Sequence, residues 1–155
     1  MGTATLPYFY ETEVEWTKQK MGELEAPGLT SLQVASPPEF QGHEGIWTPE
    51  HYFVASVNSC FMTTFLAIAQ MSKLEFVSFD SKATGKLDKV EGAGYQMTEI
   101  MLRPHLVIRH SKDLEKAHHL LEKAEKNCLI SNSIKTQVRL ETEFVKAEEQ
   151  LENEV

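Results

Sequence analysis

Apolar and polar residues alternate from Tyr8 to Trp16, the two-residue period of a half-buried strand. Gly22 and Pro27-Gly28 punctuate the next stretch, and strand character resumes from Leu29 to Val34 as part of a meander. Ser36 to Gly45 reads as a loop, with two prolines and two glycines in ten residues. The period then changes. Thr48 is a good helix cap, and Pro49 suits the first helical position, where its missing N–H costs nothing. Phe53, Val57, Cys60, Phe61, Thr64, Ala67, Ile68 and Met71 come next at three-and-four spacing, yet Val54, Phe65 and Leu66 occupy the other side. A helix apolar on nearly every side is expected to be the central, buried one. Two long strand patterns succeed it, Phe76 to Val90 and Gly94 to His110, joined by the turn Glu91-Gly-Ala-Gly94. Pro104 predicts an edge, a bulge or a bend in the second. Ser111 is placed to cap a second helix, whose apolar face is Leu114, Ala117, His118, Leu121, Ala124 and Cys128. A last strand, Ile134 to Phe144, alternates with its even positions inward.

Three strands, a helix, two long strands, a helix and a strand predict an α+β fold with a largely antiparallel sheet and two long helices. Residues 1–147 suffice for a single domain with one core, and 148–155 read as an acidic, solvated tail. Fifteen Lys and Arg against twenty-three Asp and Glu give a net charge of −8, which argues against a nucleic-acid partner. The N-terminus lacks the basic and apolar regions of a signal peptide, and no run is expected to span a bilayer. The expected compartment is a reducing cytoplasm, where a chain with two cysteines does not use a permanent structural disulfide.

Those cysteines, Cys60 and Cys128, are the candidate chemistry. They lie 68 residues apart, so neither a CxxC pair nor a zinc-ligand spacing exists. Two readings stand side by side: a two-thiol redox site, or two small apolar core residues. Asn58, Ser59, Thr63 and Thr64 surround Cys60 with groups able to donate to a thiolate. Cys60 lies about three turns into its helix, beyond the reach of the N-terminal dipole, so any lowering of its pKa must come from another residue. The histidines offer no metal spacing: His118 and His119 are adjacent, and no HExxH occurs. Ser131 and Ser133 lack an elbow-like context, and Glu91 to Gly94 joins two strands rather than opening a helix, so no cofactor or metal is indicated.

Three segments together carry a resemblance. They are Ser36-Pro-Pro-Glu-Phe-Gln-Gly42, then Thr48-Pro-Glu50 ten residues before Cys60, then Cys128-Leu-Ile-Ser131 after the second helix. In this order, over about Val14 to Phe144, the chain resembles the family of osmotically inducible protein C and organic hydroperoxide resistance proteins (OsmC/Ohr). The resemblance implies an intertwined homodimer with two long central helices wrapped by sheets. It also implies a thiol peroxidase acting on organic hydroperoxides: Cys60 attacks the peroxide and becomes a sulfenic acid, and Cys128 resolves it as a disulfide. A dithiol such as a lipoylated protein then restores the thiols, while Glu50 orients a cation beside the thiolate. The family's peroxidases place an arginine on an early strand, whereas the arginines here are Arg103, Arg109 and Arg139. Lys18 and Lys20 are the nearest replacements, though a lysine cannot make a bidentate contact with Glu50. Leu129 stands where many relatives have proline.

Along one continuous helix Glu50 and Cys60 are separated by roughly 15 Å. Either the helix breaks between them or Glu50 serves the Cys60 of another subunit, and the absence of Pro and Gly favours the second. Tyr52, Phe53, Phe61 and Phe65 form a candidate apolar mouth that favours organic over small or charged oxidants, although core packing explains aromatics equally well. The rival expectation is a non-catalytic protein of the same fold that binds a small hydrophobic ligand in the dimer cleft, motivated by the missing early arginine.

Overall fold

Two separate sheets hold the strands. The computed structural model describes residues 5–152, and the chain divides into two units, residues 1–52 and 53–155, each described by itself.

The first unit carries an antiparallel sheet of β1 (Glu13–Lys18), β2 (Met21–Glu25) and β3 (Leu32–Ala35), in that order. Gly22, which the pattern reads as a break, lies inside β2. A Cβ there would stand 2.7 Å from the Glu15 carbonyl oxygen of β1, so the close approach of the strands requires glycine. Every residue of β1 is exposed, Val14 and Trp16 included. The Pro-Pro-Glu-Phe-Gln-Gly stretch is a built turn: Pro38–Phe40 form one turn of 3-10 helix, and Gln41 is left-handed at φ 59. Gly42 N–H then donates to Pro37 O and His43 N–H to Ser36 O, each at 3.0 Å. Any side chain on Gly42 would collide with the Ser36 carbonyl. Thr48 caps the next helix as expected, its Oγ1 accepting the His51 N–H at 3.2 Å.

That helix, α1 (Pro49–Met71), is unbroken. After it come β4 (Phe76–Val90), β5 (Gly94–Ile108), α2 (Leu114–Lys126), β6 (Gln137–Leu140), β7 (Val145–Ala147) and the short α3 (Glu148–Glu152). β4 and β5 pair antiparallel over nearly their whole length, while β6 and β7 run parallel to β5 along its other edge. Pro104 therefore sits in a central strand, and its missing N–H has a simple reason. Leu102 O accepts from Glu141 N–H and Leu106 N–H donates to Phe144 O, so even-numbered residues of β5 bond toward β6 and β7. Pro104 falls between them, where the expected single strand Ile134 to Phe144 is interrupted after Leu140. The even positions do point inward, as expected, at Thr136, Val138 and Leu140.

Ile100, Leu102, Leu106 and Ile108 of β5 face the core, with Val57, Phe61, Phe65 and Ala69 of α1 and Ala117, Leu120, Leu121 and Ala124 of α2. Leu120, rather than the expected His118, completes the α2 face. The α1 stripe repeats every four residues, and burial of each phenylalanine contributes about 1.5–3 kcal/mol. α1 is not buried all round, as its composition leads one to expect. Met62 and Leu66 are each 38% exposed and Met71 is 80% exposed. By length and composition α1 is also apolar enough to cross a membrane, contrary to expectation, and only the stripe Val57, Phe61, Phe65 and Ala69 of it is buried.

Ser111 does not cap α2 with its own side chain. Its N–H and hydroxyl both donate to Glu149 Oε2, at 3.2 and 2.8 Å, while His110 Nδ1 meets Glu149 Oε1 at 3.1 Å. Arg109 pairs with Glu148 at 3.2 Å, so the described part of the acidic segment is a short, largely exposed helix with four such contacts.

Candidate active site

Both cysteines belong to the second unit. Cys60 lies in the middle of α1, partly buried, and Cys128 comes just after α2, fully buried. At the end of α2 the Asn127 N–H and Nδ2 both donate to one carbonyl, Lys123 O. A new turn opens at Cys128, whose carbonyl accepts from Asn132 N–H at 3.0 Å. This winding places Cys128 and the backbone of Leu129 and Ile130 near enough to the Cys60 sulfur to act on its acidity.

The environments of the two thiols differ in sign. Burial alone would push Cys60 up. The Cys128 thiol, the Ile130 N–H, the Thr64 hydroxyl at 3.9 Å and the Leu129 N–H outweigh it together, and hold Cys60 below the ordinary thiol range. For Cys128, burial is again the largest effect, and donation to Cys60 adds to it, as does the Cys60 charge. The Ser131 hydroxyl and N–H work the other way without reversing the result, so Cys128 stays above the ordinary range. One sulfur is held below the ordinary thiol range and its neighbour above it.

The donors that lower Cys60 include two peptide groups, and no side-chain signal identifies those. Thr64 belongs to the set of hydroxyls that the sequence singles out; Asn58 does not take part, its Nδ2 donating to Ser81 O at 2.8 Å. Cys-x-x-Ser is the only sequence cue for the turn, because it places the residue that opens the turn three positions before a hydroxyl.

The remaining candidates are placed differently. Phe61 and Phe65 do not line a mouth. Both are wholly buried, Phe65 stacked on Phe79 at 5.0 Å and Phe61 at 6.1 Å from the same ring. Phe53 borders an open groove with Tyr95, Met97 and Ile134. Tyr52, in the first unit, donates its hydroxyl to Gln33 O at 2.6 Å. Lys20 Nζ is bound to Phe40 O at 3.0 Å, and Lys18 is exposed on β1. Glu50 lies in the first turn of α1, with a buried Oε2 that has no hydrogen-bond partner among the described residues. Since α1 runs on without a break, a kink that would bring Glu50 to the Cys60 of its own helix is excluded. Among the described residues no three His, Cys, Asp or Glu side chains converge as a metal would require.

Comparison with known proteins adds a family. Residues 42–143 match the family described as OsmC-like protein. The uncharacterized protein YmaD of Bacillus subtilis is 28% identical over 142 residues, covering 88% of this chain and 92% of that protein. A solved OsmC-like protein of unknown function from Vibrio cholerae superposes with a TM-score of 0.76 at 28% identity, covering 87% of this chain and 99% of the other. An organic hydroperoxide resistance protein from Legionella pneumophila shares the fold, with a TM-score of 0.72 at 22% identity over 92% and 98% of the two chains.

Proposed function

The chain belongs to the OsmC family, and from that premise we propose that it is a thiol peroxidase reducing organic hydroperoxides through Cys60 and Cys128. The observation that carries this reading is the meeting of two thiols, far apart in sequence, whose acidities are pushed in opposite directions. A lowered thiol is what a peroxide needs, because the thiolate is the nucleophile. Cys60 S⁻ attacks the hydroperoxide, the O–O bond breaks, and an alkoxide leaves to take a proton from water. The neutral sulfenic acid lies beside Cys128, which closes the disulfide and stops further oxidation. An external dithiol, of the lipoyl class, returns both cysteines to thiols, and the cycle runs in a reducing compartment such as the cytoplasm.

The working unit in this proposal is a homodimer. An unbroken α1 with Met62 and Leu66 exposed one turn apart has an apolar face to cover, and the buried Glu50 Oε2 has no hydrogen-bond partner among the described residues. A two-fold partner supplies both needs if Glu50 serves the Cys60 of the other subunit. Lys18 remains the uncommitted cation on the early strand, since Lys20 is bound to a carbonyl.

Consumption of cumene hydroperoxide and of hydrogen peroxide, with dihydrolipoamide as reductant, tests the proposal. The expected result is faster turnover of the organic peroxide, abolished in Cys60→Ser. Equal and negligible rates for both oxidants, unchanged in that variant, would overturn it in favour of the non-catalytic ligand binder.

A further inference from the structure

A sulfur in the middle of a helix has few donors within reach. The N–H groups of α1 are spent on the helix itself, and the side chains one turn to either side of Cys60 are Ser56, Val57, Thr63 and Thr64. Ser56 Oγ donates to Phe53 O at 2.7 Å, and Thr63 Oγ1 to Cys60 O at 3.1 Å. Ser59 Oγ donates to Ser56 O at 3.3 Å. Each of these hydroxyls turns back on the carbonyl three residues earlier, as hydroxyls inside a helix commonly do. Thr64 does not. Its Oγ1 lies 3.9 Å from the Cys60 sulfur, and among the described residues the sulfur is its hydrogen-bonding partner. Thr63 bears on the difference. A carbonyl offers two lone pairs, and at Cys60 O the helical Thr64 N–H takes one and the Thr63 hydroxyl the other. With that carbonyl full, the Thr64 hydroxyl meets the sulfur of the same residue. β-branching leaves threonine few χ1 states in a helix, so the hydroxyl is held there at little entropic cost.

We propose that Thr64 is a positioning residue for Cys60, its hydroxyl fixing the orientation of the sulfur and donating to it once the thiol has lost its proton. Its part in peroxide reduction rests on the peroxidase reading. While Cys60 is a thiol, either atom of the pair can donate; once it is a thiolate, only the hydroxyl can. The bond then has a charged acceptor and strengthens, so it favours the ionised form. The lowered acidity range of Cys60, to which the Thr64 hydroxyl contributes, agrees in direction. Thr64 stands four residues along the same unbroken helix, so the contact keeps its spacing whatever the Cys128 turn does. The sulfur thus carries part of its own activation with it.

One hydrogen bond of ordinary strength changes a thiolate population by about three- to tenfold, which moves a titration midpoint by about half to one pH unit. The test alkylates the reduced protein with iodoacetamide across a range of pH and follows Cys60 by peptide mass. Thr64→Val keeps the shape and removes the hydroxyl, and Thr64→Ser keeps the hydroxyl. Ser56→Ala removes a neighbouring hydroxyl that the backbone already holds. The expected result is a Cys60 midpoint raised by about half to one pH unit in Thr64→Val, unmoved in Ser56→Ala, and lower in Thr64→Ser than in Thr64→Val. A Thr64→Val midpoint equal to the parent's, an equal rise in Ser56→Ala, or serine and valine titrating alike overturns the role of Thr64 and leaves the peroxidase standing. A parent whose Cys60 titrates as expected yet is not oxidised by cumene hydroperoxide overturns the peroxidase and leaves the Thr64 contact.

Discussion

Leu66→Glu separates a chain that works alone from one that works as a pair. Leu66 lies on the outer side of α1, 38% exposed, one turn from the equally exposed Met62. In an isolated chain the exchange is a surface substitution worth within about 0.5 kcal/mol. Under a symmetric partner it places a carboxylate in an apolar contact, at about 3 kcal/mol or more per charge. A two-fold interface contains the substitution twice, so a micromolar dimer weakens by roughly four orders of magnitude. Sedimentation velocity reads the dissociation directly. Thermal unfolding gives an independent measure: two chains of 155 residues unfold with about 220 kcal/mol near 60 °C, so hundredfold dilution lowers the dimer's midpoint by about 5 °C. The parent is expected to show that dependence and the variant to lose it while remaining folded. A parent whose midpoint ignores concentration, and a variant that sediments identically to it, would refute the reasoning and remove the shared site.

Three further outcomes are expected. Cys128→Ala removes a donor to the Cys60 thiolate, so Cys60 titrates higher and its alkylation by iodoacetamide at neutral pH slows about three- to tenfold; Cys128→Ser, which keeps an O–H donor, titrates below the alanine variant, and equal profiles for the two would show that no donor acts there. Glu149 is held below the usual carboxylate range by the Ser111 hydroxyl, His110 and the Ser111 N–H, so its contacts persist above that lowered value and are lost as pH falls through it; hydrogen exchange at the Ser111 amide reports the loss, which Glu149→Gln brings to neutral pH. Mixing Glu50→Ala chains with Cys60→Ser chains restores about a quarter of parental peroxidase activity if the carboxylate and the thiol come from different subunits, because half the dimers are mixed and each has one intact site. Activity that stays at the level of the components shows that both groups come from one chain.

The sequence predicts some elements to the residue and leaves others invisible, for identifiable reasons. β4 and β5 are legible because a glycine-bearing turn separates two long alternations, and β4 keeps the bounds of its pattern. β2 is hidden because Gly22 is needed for contact with β1, and local reading takes glycine as a stop. The phase of α1 is ambiguous for a related reason. With apolar residues on all sides, periodicity cannot decide that Phe65 goes in and Met71 out; only the sheet beneath decides it. At the candidate site, Cys60, Cys128 and Thr64 are visible as residue types, but their meeting depends on where α2 ends relative to α1. The Leu129 and Ile130 amides leave no trace in side-chain identity at all.

Pro104 has an architectural consequence. On the edge of β5 opposite β4, hydrogen bonding stops at Leu102 and resumes at Leu106, with proline between them unable to donate. Local opening of the C-terminal segment therefore has a built-in stopping point. β7 and α3 can peel away as a short unit, with Glu148 and Glu149 releasing Arg109 and Ser111, while β6 keeps its register with Glu99 to Leu102. Thr142 and Glu143, between the Glu141 and Phe144 bonds to β5, are for the same reason where a change in chain length disturbs this edge least.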